Sequence, residues 1–120
     1  MRKEVVAAAI IKNGLVLILW KNKRHHYEFP GGLIEQGEQR ESALKREVLE
    51  EVGCEITNMQ YHSQYKYRVG VDDFKIHMYT GEIQKQPKIS ADFDHFVWMS
   101  IKQFQSYKLA PNVLDFCRKF

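Results

Sequence analysis

Two apolar runs, Val5–Ile11 and Leu15–Trp20, are separated by the polar break Lys12-Asn13-Gly14. Asparagine and glycine both accept positive φ, so Asn13-Gly14 between runs rich in Val, Ile and Leu is a strong hairpin signal. A chain that begins this way is committed to a sheet. Met1-Arg2-Lys3 ahead of an apolar run superficially resembles a secretory leader, but Glu4 breaks the charge pattern and Lys12 ends the run early. Neither run reaches the ~20 apolar residues of a membrane span. These features predict a soluble, cytoplasmic protein with no membrane partner.

Beyond the hairpin, Lys21–His26 reads as a polar loop and Tyr27-Glu28-Phe29 as a short extended piece. Pro30-Gly31-Gly32 reads as a sharp turn poor in side chains. From about Arg40 to Val52, Leu44, Val48 and Val52 recur every four residues, which predicts a helix with one apolar stripe. Gly53 stands where a helix C-cap glycine belongs, whereas Gln39 is a poor N-cap. Glu55–Tyr67 and Asp72–Glu82 read as longer strands, with Tyr65, Tyr67, Phe74, Ile76 and Met78 alternating with polar residues. Phe96–Met99 is a further short strand and Ile101–Gln105 a helical turn. Pro111 suits the first turn of a last helix, Asn112–Arg118. The order predicts a mixed sheet with helices packed on it, in one domain over residues 1–120.

Composition narrows the function. The 120 residues carry 18 basic and 15 acidic side chains, a formal net charge of +3. That argues against a nucleic-acid wrapper and leaves room for one local basic patch facing an anionic ligand. Cys54 and Cys117 form neither a disulfide framework nor a zinc cage and read as buried thiols.

The chemistry concentrates in one segment. On the predicted helix, Glu47, Glu50 and Glu51 fall within an arc of roughly 100°, directly beside the apolar stripe. Ala43 is expected among these glutamates, leaving access to them open. Like charges at this spacing repel one another. Hard oxygen ligands at such density suit Mg²⁺ or Mn²⁺, which would relieve the repulsion. Arg46, four residues before Glu50, is placed to pair with it and fix one carboxylate.

Residues 32–54 resemble the signature of the Nudix hydrolases, G-x5-E-x7-R-E-U-x-E-E-x-G-U, where U is a bulky aliphatic residue. Gly32, Glu38, Arg46, Glu47, Glu50, Glu51 and Gly53 occupy all seven fixed positions. Val48 fills the first aliphatic position, and Cys54 departs mildly from the second. The resemblance implies an α/β (α+β) fold, the family's α/β/α sandwich, with a mixed sheet, one catalytic helix after a glycine loop and a C-terminal helix. It implies hydrolysis of a nucleoside diphosphate derivative, in which water attacks a phosphorus with the help of Mg²⁺ (or Mn²⁺). By position it implies Glu47, Glu50, Glu51 and the Gly31 carbonyl as metal ligands, Arg46 as the residue that orients them, and Gly32, Glu38 and Gly53 as supports. The general base is left between Glu50 and Glu47, with a loop aspartate, Asp92 or Asp94, as the other choice.

Residues outside the signature bear on substrate. Tyr27-Glu28-Phe29-Pro30 and Leu109-Ala110-Pro111-Asn112 resemble segments of MutT-like members, which hydrolyse nucleoside triphosphates, oxidised purine ones among them. An asparagine amide both donates and accepts, so Asn112 is a candidate for reading a base edge; the alternative is that it only starts the last helix. Phe29 is a candidate base contact or a core residue. Lys21, Lys23 and Arg24 are candidates to neutralise phosphates, and His25 and His26 read as loop histidines. Trp98 reads as core or pocket wall, and Tyr61, Tyr65 and Tyr67 as a stripe on one strand that could stack on a base. The expected reaction releases a nucleoside monophosphate and pyrophosphate. A dinucleoside polyphosphate, nucleotide sugar, ADP-ribose or capped RNA end is the alternative substrate, and a non-catalytic nucleotide sensor the alternative class. A monomer and a homodimer are equally compatible with the sequence.

Overall fold

The structure is a computed structural model that describes residues 2–120; Met1, the start of the leader-like segment weighed above, lies outside them. β1 (Arg2–Lys12) and β2 (Leu15–Lys21) are joined through Asn13 and Gly14, whose φ values are +52° and +77°. Their antiparallel pairing lasts for only two positions, Ile11 with Val16 and Lys12 with Leu15. The strands then part. β1 pairs in parallel with β6 (Asp72–Ile83) over Arg2–Ile10, and β2 pairs with β7 (His95–Ser100) and β3 (His26–Glu28). β5 (Ile56–Val69) closes the far side against β6. The seven strands run in the order β3-β2-β1-β6-β5, with β4 (Gly31–Leu33) on β1 and β7 on β2.

Each face of this mixed sheet carries one helix and one core. α1 (Arg40–Val52) lays Ala43, Leu44, Val48 and Val52 against Val6, Ala8, Ile10, Leu17 and Leu19. α2 (Pro111–Lys119) lays Val113, Phe116 and Cys117 against Ala7, Ala9, Val16 and Ile18. Successive residues of β1 and β2 therefore feed opposite cores, as strand alternation requires. Each fully buried Leu or Val contributes about 1.5–3 kcal/mol. Both cysteines are free and buried. No helix among the described residues is long and apolar enough to cross a membrane.

Several details differ from the sequence-based expectation. Gly31 and Gly32 do not make a turn: they are extended in β4, paired with Ala7 and Val6. Their lack of side chains answers crowding, since a Cβ on Gly31 would stand 2.1 Å from the Val6 carbonyl oxygen. The expected loop Lys21–His26 shrinks to a 3₁₀ turn, Asn22–Arg24, between strands that claim Lys21 and His26. Ala43 is wholly buried in the α1 core instead of standing among the glutamates. The tyrosine stripe is broken by register shifts in β5 between Thr57 and Gln60 and between Tyr61 and Ser63. Tyr61 consequently meets Tyr79 and His77, while Tyr65 packs with the α2 core. Asn112 is not a cap: Ala110 precedes the helix, and Pro111 takes its first position.

Candidate active site

The acidic residues sit where β4 runs beneath α1. Arg46 is their hub. Its Nε and Nη2 donate to the two oxygens of Glu38 at 2.7 and 3.0 Å, its Nη1 to Glu47 Oε1 at 2.8 Å, and its Nη2 also to the Leu33 carbonyl at 3.2 Å. Glu50 lies 3.5 Å from the same guanidinium, so the Arg46–Glu50 pairing read from the spacing is looser than those to Glu38 and Glu47. The Arg46 fork and the Glu35 backbone N–H hold the Glu38 carboxyl down to about 2. Arg46 is pushed up, chiefly by its bonds to Glu38.

Glu47 and Glu51 are shifted the other way. Burial raises Glu47 despite its bond to Arg46. Burial also raises Glu51, to about 8, with Glu47 adding to the effect; the Gly31 N–H, which donates to Glu51 Oε1 at 2.8 Å, opposes it. Gly32 leaves the space that the Glu47 carboxylate occupies, because a Cβ there would lie 2.6 Å from it. Glu50 is mostly exposed. Among the described residues no three carboxylate, histidine or thiol groups already converge on one point. The donor set is nonetheless suited to a hard divalent cation. Glu47, Glu50, Glu51 and the Gly31 carbonyl offer only oxygens, and two of the carboxylates are held in surroundings that disfavour their charged forms.

A cavity of about 390 Å³ opens from this shelf, within the range of small-molecule sites. Gly31, Gly32 and Glu51 form one wall; Glu47 and Glu50 lie outside the lining. Phe29, Ile76 and Tyr65 add apolar surface, and Ala110, Pro111 and Asn112 bring polar and apolar atoms from the start of α2. Phe29 is at once core and lining, edge-on to Phe116 at 5.4 Å. The Asn112 segment is fastened to β3: the Tyr27 N–H donates to the Lys108 carbonyl at 2.8 Å and the Ala110 N–H to the Tyr27 carbonyl at 2.9 Å.

Of the candidate phosphate contacts, Lys21 and Arg24 line the cavity and Lys23 does not. Lys21 Nζ lies 4.8 Å over the ring of Phe93, another lining residue. Asp92 and Asp94 are outside the lining, and Asp94 Oδ2 accepts the Asn22 N–H at 2.9 Å. His26 is a strand residue in the cavity wall, not a loop histidine. Its Nε2 lies 2.7 Å from Glu28 Oε2, which also accepts from Arg24 at 2.8 Å. Sequence reasoning passed over Glu28 and Phe93. Glu28 carried a signal, since a carboxylate between two aromatics, Tyr27 and Phe29, needs a partner. Phe93 carried none. Trp98 packs against the α1 core away from the cavity.

Comparison with known proteins agrees with this geometry. The NUDIX domain family model matches residues 1–120. The chain is 30% identical over 117 residues, 90% of its length and 83% of the relative's, to a CTP pyrophosphohydrolase of Escherichia coli (strain K12). It is 35% identical over 68 residues, 52% of its length and 50% of the relative's, to an 8-oxo-dGTP diphosphatase of Haemophilus influenzae. A crystal structure of a MutT NUDIX hydrolase from Burkholderia pseudomallei superposes with a TM-score of 0.90 over 98% of this chain and 97% of that one; at 17% identity the likeness is one of fold.

Proposed function

The chain belongs to the Nudix hydrolase family, on its MutT-like side, and from that premise we propose that it hydrolyses a nucleoside triphosphate to the monophosphate and pyrophosphate with Mg²⁺. Mn²⁺ would substitute. The observation that carries the reading is the Glu51 carboxylate, half-buried against the Gly31 N–H at the wall of a cavity that also presents Lys21, Arg24, Phe29 and Asn112. Acidic and basic groups face one space, as a cation and a polyphosphate would require.

In this reading Glu47, Glu50, Glu51 and the Gly31 carbonyl hold the metal. When bound, the metal supplies charge neutralisation at the phosphates and lowers the pKa of an attacking water. Arg46 keeps the Glu47 carboxylate in one orientation while Glu38 anchors Arg46 from the other side. A glutamate then accepts the water's proton. Glu50 and Glu47 are the candidates, and Glu50 is the more accessible. The Asp94 carboxylate is already engaged by the Asn22 N–H and is the weaker choice. Lys21 and Arg24 neutralise phosphate charge, Phe29 and Tyr65 contact the nucleoside, and the Asn112 amide reads the base.

Asn112 offers a donor and an acceptor, a pattern that suits a cytosine edge as well as an oxidised purine edge. The names of the relatives cover both bases. The test is product analysis with Mg²⁺ on a panel of CTP, dCTP, 8-oxo-dGTP, the ordinary triphosphates, ADP-ribose and a diadenosine polyphosphate. Monophosphate plus pyrophosphate from a triphosphate is the expected result. Turnover of ADP-ribose or the dinucleotide alone would keep the carboxylate site and overturn the substrate class. No turnover with either metal would favour a nucleotide-sensing domain.

A further inference from the structure

The start of α1 is anomalous. Gln39 provides no side-chain cap, and the first helical residue, Arg40, puts a cation at the positive end of the helix dipole. What offsets this comes from the sheet. Arg40 Nη1 lies 3.1 Å from His77 Nδ1, and its guanidinium is 5.2 Å above the Tyr61 ring. One residue on, Glu41 Oε2 accepts the Tyr79 hydroxyl at 2.6 Å.

His77 is the centre of the arrangement and, among the described residues, the buried polar side chain of the core, 3% exposed. Arginine only donates, so Nδ1 is the acceptor and carries no proton; the Tyr61 hydroxyl, 2.8 Å away, faces the same atom. The ring is therefore the neutral form protonated at Nε2, and Nε2 donates to Glu4 Oε1 at 2.7 Å. The other Glu4 oxygen is buried without a partner. An orphaned oxygen of that kind is costly, and its presence calls for a reason.

Glu4 also stands where the segment after β4 is tied to β1. The Glu4 main-chain carbonyl accepts the Ile34 N–H at 3.0 Å and so holds one end of the segment 34–39, while the Glu4 side chain orients His77, which holds the other end through Arg40. Inside that segment the Glu35 N–H fixes Glu38, and Glu38 fixes Arg46. We propose that Glu4, His77 and Arg40 form a positioning unit that pins both ends of the Glu38 loop to the sheet and thereby sets the orientation of Arg46 and the carboxylates beside it. Its consequence for metal binding rests on the function proposed above.

Two measurements on His77→Phe and Arg40→Ala test the unit: hydrogen exchange of the backbone amides, and calorimetric titration with Mn²⁺. His77→Phe keeps an aromatic volume and removes the bonds to Arg40, Tyr61 and Glu4; Arg40→Ala removes one tether at an exposed position and leaves His77 its bonds to Tyr61 and Glu4. Expected are the hydrogen-bonded amides of Ile34, Glu35 and Glu38 exchanging about tenfold faster, unchanged exchange in the β2–β7 pair, and Mn²⁺ binding weakened about fivefold, less than the roughly tenfold or more lost at a ligand's own partner. Glu4→Gln, which keeps an acceptor for Nε2, should stay within about threefold of wild type. Unchanged exchange at 34–38 in Arg40→Ala overturns the proposal. So does an equal rise across β2–β7, which would make His77 an ordinary core residue, or a loosened loop with undiminished Mn²⁺ affinity. Should the wild type itself bind no Mn²⁺, the metal reading fails, and the exchange data alone still decide whether the loop is pinned.

Discussion

The two walls of the cavity are built on different principles. The wall formed by Gly31, Gly32 and Glu51 is fixed by the backbone. β4 lies so close to β1 that a Cβ on Gly31 would overlap the Val6 carbonyl, and one on Gly32 would overlap the Glu47 carboxylate. The facing wall is assembled from side chains of separate elements: Phe29 after β3, Tyr65 on β5, and Asn112 at the start of α2. Geometry of the first kind tolerates almost no change, whereas the second can alter one side chain at a time. On the proposed function, reaction chemistry falls where the chain cannot drift, and base selection where it can.

Glu51→Gln should break the first wall most severely. Loss of an anionic oxygen at the proposed metal site predicts a fall in kcat of about 10³-fold. Above about pH 8, where the folded Glu51 is ionised, the metal-free melting temperature should hold or rise, because a disfavoured buried charge has gone. Steady-state kinetics beside calorimetry check both parts; loss of activity together with loss of fold would make Glu51 structural. Gly32→Ala comes next. Its Cβ, 2.6 Å from the Glu47 carboxylate, must displace that side chain, which predicts about 10²-fold in kcat with the nucleotide KM little changed.

On the facing wall the expected effects are smaller and of another kind. Asn112→Ala should lower kcat/KM about tenfold, mainly through KM, and flatten the preference among bases. A uniform loss of kcat across the substrate panel would instead assign Asn112 to the reaction centre.

A separate effect, not on turnover, is on stability against pH, measured without divalent ions. Glu51, near 8 when folded against an ordinary 4.5, binds a proton that the unfolded chain releases, and Glu47 is shifted the same way. Stability should therefore decline as pH rises from about 5 to 8. Glu38 acts oppositely: its contribution is complete above its ordinary 4.5 and is lost as pH falls toward about 2. Added Mg²⁺ should stabilise more at pH 8 than at pH 5, since only the ionised carboxylates bind it; equal stabilisation at both would count against Glu51 as a ligand.

The same division separates what the sequence revealed from what it hid. The helix Arg40–Val52, its glycine cap and the hairpin at Asn13-Gly14 follow from local periodicity and positive φ, and the structure has them. The order of elements predicted a mixed sheet with helices packed on it, the family resemblance implied a sandwich, and the structure has a mixed sheet with a helix on each face. The two glycines were legible as a spacing but not as a strand, because what crowds Gly31 is Val6, brought in from β1, and what crowds Gly32 is the Glu47 carboxylate, brought in on α1. Tyr61 left its stripe through shifts in β5 that no periodicity signals. His77 looked like one polar position in an alternating strand; its partners Glu4, Arg40 and Tyr61 lie 73, 37 and 16 residues away.

The brevity of the first hairpin also governs how the molecule is made. β1 spends two residues on its sequence neighbour and nine on β6, where Arg2 meets Asp73 and Ile10 meets Gly81. Parallel pairings across such separations form slowly, because the loop must close before any contact rewards it. Until Asp72–Ile83 docks, the side of β1 that β6 covers is an unpaired strand edge, the kind of surface that templates association.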